Sequence, residues 1–194
     1  MKDISKANRG KPLEEIIKAA NQLYLRDNVA VVNKIPTEFI PIRNAYGQVV
    51  NVKVEQKSTV DFIGQSRGTP IAFEAKHTKT NRISFSAVQP HQYDFLNAWM
   101  KNHGTAFVVV AFNNLQQFYT IPWKYWQMCY DHWNNPDMKG KKCPYNDGIM
   151  TTGKASVSPE ELPDCWKIEM GGRYFLNYLH QEYVHDDMCS HLYM

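Results

Sequence analysis

Eight consecutive residues, Thr105 to Phe112 (TAFVVVAF), contain no charged side chain and none that is polar after the first. A short apolar run of this kind marks a strand covered on both faces. Such a strand lies at the centre of a sheet and needs a packed layer on each side of it. The rest of the chain must therefore supply two layers.

Residues 12–26 read as an amphipathic helix, with Leu13, Ile16, Ile17, Ala20, Leu23 and Tyr24 at helical spacing and Pro12 suited to its start. Val29 to Lys34 reads as extended, ended by Ile35-Pro36, because the residue before a proline is pushed out of helical geometry. The segment 37–57 alternates loosely around a turn at Tyr46-Gly47-Gln48 and is expected to project as a hairpin or arm. Residues 58–65 and 70–76 read as two strands joined by the tight turn Ser66-Arg67-Gly68-Thr69. A helix is expected over about 89–102, with Pro90 near its start and Gly104 past its end. Gln117 to Ile121 can pair beside the central strand, and the aromatic stretch Trp123 to Trp133 reads as a helix. Residues 134–165 read as loop; Trp166 to Met170 and Tyr174 to Leu179 are candidates for a terminal strand and a short element. This order points to a single α/β domain over residues 1–194 built around a mixed sheet, with 125–194 as an elaboration.

Hydrophobic residues make up 43% of the chain, which places it far from sequences that stay disordered. No apolar run approaches the roughly 18 residues of a spanning helix, and MKDISKANRGK lacks the apolar core of a secretory signal. A soluble cytoplasmic protein with no membrane partner is the expectation. Cys129, Cys143, Cys165 and Cys189 show no CxxC spacing and read as free thiols. A net charge of +3 is too mild to name a polyanionic partner, but Lys2, Lys6, Arg9 and Lys11 cluster near the start, and Lys139, Lys141 and Lys142 form a second knot.

The chemistry-bearing pattern is D-x12-E-A-K, formed by Asp61, Glu74 and Lys76. Side chains alternate along a strand, so Glu74 and Lys76 share one face, and pairing with 58–65 can bring Asp61 beside them. Three charges on an apolar sheet are costly unless a cation or a polyanionic substrate compensates them. Carboxylate oxygens suit Mg²⁺ or Mn²⁺, and phosphodiester hydrolysis uses that donor set together with a cation for the developing charge. Thr59, two residues before Asp61, would share its face, and Gln92 would be turned toward the sheet by its helix. On spacing alone, an exposed cross-strand charge pair explains the pattern as well. Gln92 equally fits a surface residue or helix cap, Glu14 a solvent-facing acid, and His77, His91 and His103 fit no common zinc spacing.

The segments NRGKPLEEIIKAAN, STVDF, FEAK, HQYDFL and GTAFVVVAF stand in the order found in RecU, the Holliday junction resolvases of Gram-positive bacteria and their phages. The sequence resembles that family over roughly residues 8–124, and Gly153 to Ser156 with Tyr178-Leu179 resemble its C-terminal pattern. The resemblance implies a homodimeric nuclease of the restriction-endonuclease-like PD-(D/E)XK fold: a mixed β-sheet flanked by helices, with a projecting β-stalk. It implies nicking of opposed strands of four-way DNA junctions with Mg²⁺ or Mn²⁺. On matching positions Thr59, Asp61, Glu74 and Gln92 would form the metal site, and Lys76 would stabilise the transition state. The arm, at about 34–57, would be the stalk that enters the junction, and Arg9, Lys11, Lys34, Arg43 and Lys53 would contact DNA. Glu14 would neighbour the active site.

Two features depart from the family pattern. The basic N-terminal extension is shorter than usual, and residues 125–150, with Cys129 and Cys143, match nothing in it. The rival readings are another nuclease on the same fold, and a junction-binding recombination modulator that cuts little. The intact Asp61, Glu74 and Lys76 set argues against the latter, and no residue points to a recombinase partner.

Overall fold

A computed structural model describes residues 12–36, 38–56, 59–138 and 153–179. In chain order the elements are α1 (Leu13–Arg26), β1 (Ala30–Lys34), β2 (Glu38–Arg43), β3 (Val49–Gln56), β4 (Phe62–Ser66), β5 (Thr69–Thr78), β6 (Ile83–Ser84), α2 (Pro90–Lys101), β7 (Thr105–Phe112), β8 (Gln117–Pro122), α3 (Trp123–Asn134), β9 (Ser156–Val157) and β10 (Lys167–Ile168). The main sheet runs β1-β4-β5-β7-β8-β10. β5 and β7 are parallel, and the other pairings are antiparallel.

The apolar run forms β7, an interior strand that feeds both cores. Ala106, Val108, Val110 and Phe112 face one side, where α2, α3 and the segment around Val157 to Trp166 cover them. Phe107, Val109 and Ala111 face the other, under α1 and residues 174–179. There Phe73 stacks between Phe62 and Phe107 at centroid separations of 4.9 and 4.7 Å. Aromatic pairs of this kind add about 0.5–1.5 kcal/mol each beyond burial.

The expected helices and strands are present, with three differences of consequence. β4 starts at Phe62, so Thr59 to Asp61 approach the strand without being part of it. β5 is ten residues long and extends past Lys76 to Thr78. The stretch read as loop beyond 134 contains β9 and two short 3₁₀ turns, held by tertiary bonds that leave no periodic signal. The basic N-terminal segment, the knot at Lys139 to Lys142, Cys143 and Cys189 lie outside the described residues.

β1 crosses β4 so closely at Gly64 that a Cβ there would stand 2.2 Å from the Val31 carbonyl oxygen. Only glycine permits that approach. β2 and β3 pair with each other as a separate two-stranded arm, leaving Ile40, Ile42, Val49, Val50 and Val52 exposed. Tyr46, at its tip, is 88% exposed. No helix among the described residues is long and apolar enough to cross a membrane.

The β9 region is clamped by charge. Arg82 donates to Ser156 Oγ, to the Ser156 carbonyl and to Glu161, while Lys154 donates to the other Glu161 oxygen. Burial alone would raise the Glu161 pKa, but hydrogen bonds from Lys154, the Ser158 N–H and Arg82 outweigh it and hold the carboxyl at about 2. A lowered folded pKa gives stability that is present above the unfolded value, 4.5, and lost as pH falls toward the folded one. Glu161→Gln is therefore expected to melt below the wild type at neutral pH. Circular-dichroism melts should show the gap narrowing as pH drops below about 4.5.

Candidate active site

β4 and β5 form a hairpin closed by Arg67 and Gly68, whose φ values of 48° and 87° are those of a two-residue turn with both central residues left-handed. The register Phe62↔Phe73 carries Asp61 one step further, to a place opposite Glu74. Each acid is then fixed by the other strand's main chain. The Asp61 N–H donates to Glu74 Oε2 at 3.1 Å, and the Ala75 N–H donates to Asp61 Oδ2 at 3.0 Å.

Glu74 is 1% exposed, whereas Asp61 is half-buried. Its second oxygen, Oε1, accepts from Lys76 Nζ at 2.8 Å and from Gln92 Nε2 at 2.7 Å. Gln92 Oε1 in turn accepts from the Gln89 N–H at 2.9 Å and from Lys76 Nζ at 3.3 Å. These partners fix the amide's orientation, since only its oxygen can accept from Gln89 and only its NH₂ can face a carboxylate. Burial, and then the charge of Asp61, push the Glu74 pKa upward; Lys76 pulls it down without cancelling them.

The structure thus brings Asp61, Glu74, Lys76 and Gln92 together. Thr59 is exposed and outside β4, so the strand alternation expected to put it on Asp61's face does not apply. Glu14 pairs with Lys34 in an ion pair between α1 and β1. The residue after Lys34, Ile35, donates its N–H to the Asp61 carbonyl at 2.8 Å, which links that pair to the site through the main chain. Arg43 donates to the Gly47 carbonyl across the arm's turn, and Lys53 is exposed on β3. Arg9 and Lys11 lie outside the described residues. Gln89 went unnoticed in the sequence, although Pro90 at the helix start puts Gln92 at the third helical position, the spacing at which a side chain reaches back to the residue before the helix.

The family described as RecU, Recombination protein U, matches residues 8–181. This chain belongs to the RecU family. Among curated proteins, the Holliday junction resolvase RecU of Streptococcus pneumoniae strain Hungary19A-6 is 36% identical over 122 residues, covering 60% of this chain and 62% of that protein. The same protein from S. pneumoniae serotype 19F strain G54 is 34% identical over the same shares. The chain thus spans less than two thirds of the length of these RecU relatives. Among solved structures, Archaeoglobus fulgidus Hjc, a Holliday junction resolvase, aligns with 56% of this chain and 78% of its own, at a TM-score of 0.33 and 10% identity.

In this RecU-family site the donors suit a hard cation. No group of three or more His, Cys, Asp or Glu side chains gathers among the described residues, and Asp61 and Glu74 are a pair of acids. Mg²⁺ ordinarily takes one or two carboxylates, so the pair is sufficient. Two adjoining carboxylates, one buried and with its pKa raised, are also the arrangement that a divalent cation relieves. A cation held there would compete with protons for Glu74. Mn²⁺ is therefore expected to raise the melting temperature at about pH 8 and far less at about pH 5, and Asp61→Asn should remove that rise. Equal shifts at both pH values in a thermal-melt series would refute cation binding at Glu74.

Proposed function

We propose that this chain is a metal-dependent endonuclease that resolves Holliday junctions, acting as a homodimer that nicks opposed strands. The observation that carries the reading is the mutual pinning of Asp61 and Glu74 by each other's strands, with Lys76 on the same face. Family membership, and the resolvase names of the pneumococcal relatives, support the substrate class. The mixed sheet with its Asp, Glu and Lys on one hairpin fits the PD-(D/E)XK plan.

Asp61 and Glu74 would hold Mg²⁺ or Mn²⁺. When bound, that cation supplies Lewis acidity at the phosphate and activates water. Lys76, with three donors on a flexible stem, stabilises the charge that develops on the phosphate oxygens. Gln92 anchors Glu74 to the start of α2, which keeps that carboxylate in place, and in the metal-free site its oxygen also accepts from Lys76. Thr59, exposed two residues before Asp61, would contact the cation's water shell or the DNA strand.

The arm is the stalk in this reading. Its exposed apolar side chains, Ile40 and Ile42 on one face and Val50 and Val52 on the other, call for partner surfaces. A second protomer and the open centre of a junction both lie on the two-fold axis of such a complex. Lys34, Arg43 and Lys53 add positive charge along the arm, Arg9 and Lys11 precede α1, and Glu14 neighbours the site through Lys34.

Asp61→Ala is expected to abolish nicking of a labelled four-way junction in Mg²⁺ and to leave gel-shift binding of that junction nearly unchanged. Retained nicking by the purified variant would count against the site. Deleting residues 38–55 is expected to lower the preference for junction over linear duplex in competition binding, because the arm forms a sheet of its own and its loss spares the main one. An unchanged preference would overturn the stalk assignment.

A further inference from the structure

Lys76 has a four-carbon stem at the side of the sheet and could carry its charge out to water, as lysines usually do. It does not. Its side chain is 19% exposed and turns back along its own strand, with Nζ 2.8 Å from Glu74 Oε1 and 3.3 Å from Gln92 Oε1. Glu74 needs a positive partner there, because its carboxylate is 1% exposed and lies against Asp61. No histidine, arginine or second lysine pairs with Glu74 among the described residues.

We propose that Lys76 is the resident counter-ion of Glu74 and competes with the divalent cation for that carboxylate, so that metal loading and release of the Lys76 ammonium are one linked event. The inference rests on the reading that Asp61 and Glu74 hold a divalent cation. Two carboxylates with one ammonium leave the site with a single net negative charge, whereas a divalent ion neutralises both acids. Lys76 is then repelled from Glu74 and gains nothing by remaining. Gln92 need not follow, because its oxygen stays bound to the Gln89 N–H and its NH₂ stays on Glu74. The ammonium's three donors become available to a phosphate only once the cation is in place. Lys76 thus fills both of its roles in succession, and the unloaded site presents no free cation to DNA. By linkage, whatever weakens the Lys76–Glu74 contact tightens metal binding by the same factor.

The test is calorimetric titration of Mn²⁺ into the DNA-free protein, comparing wild type, Asp61→Asn and Lys76→Met, the last of similar length but without charge. Wild type is expected to bind, Asp61→Asn to lose binding, and Lys76→Met to bind about tenfold more tightly. Unchanged or weaker binding by folded Lys76→Met overturns the competition and leaves the metal reading standing. Failure of the wild type to bind, or equal binding by Asp61→Asn, overturns the metal reading and the competition with it. Should Lys76→Met not fold, nuclear magnetic resonance of isotope-labelled lysine in the wild type decides the matter. Saturating Mg²⁺ is expected to shift the Lys76 ammonium signal and speed its exchange with water, and a signal unmoved at saturation overturns the proposal.

Discussion

Two carboxylates held side by side repel, and the molecule keeps them together by tying each to the opposite strand's main chain. The Asp61 N–H reaches Glu74, and the N–H beside Glu74 reaches Asp61. A hydrogen bond from a fixed amide to a charged acceptor is stronger than one between neutral groups, and here it also fixes geometry. Register is therefore decisive. A slip of one residue between β4 and β5 would turn Glu74 and Lys76 into the layer beneath α1 and bring Phe73 out to the site.

Register is held by the layers on either side. The stacked Phe62, Phe73 and Phe107 on one face, and Ala72, Val108 and Val110 on the other, can be satisfied together in a single alignment of three strands. The left-handed turn at Arg67-Gly68 closes the hairpin in that alignment, and Gly64 lets β1 lie against β4 without a side chain between them. The acids thus sit on a platform whose rigidity comes from residues that take no part in the chemistry.

Much of this was legible in the sequence because it follows from period and punctuation. The eight-residue apolar run could only be an interior strand, Pro90 and Gly104 bracketed α2, and alternation placed Glu74 and Lys76 on one face. The details that depend on main-chain groups were not legible. That Asp61 precedes its strand, that Ile35 and Ala75 donate to it, and that Gln92 points its amide NH₂ at Glu74 are set by tertiary register, which leaves no mark on residue type. Alternation overreached at Thr59, where the strand has not yet begun. The pairing of Glu14 with Lys34, from helix to edge strand, joins two residues that the sequence suggested only as separate candidates.

The arm leaves the body after Lys34 and returns just before Asp61, and the bond from the Ile35 N–H to the Asp61 carbonyl closes its two roots. The stem of the hairpin and the backbone of the acid consequently share one hinge point. A sideways load on the tip at Tyr46 would bear on that bond and so on the aspartate's own main chain. Length and composition can drift at the tip without mechanical effect, while an insertion of a single residue at either root would shift the acid itself.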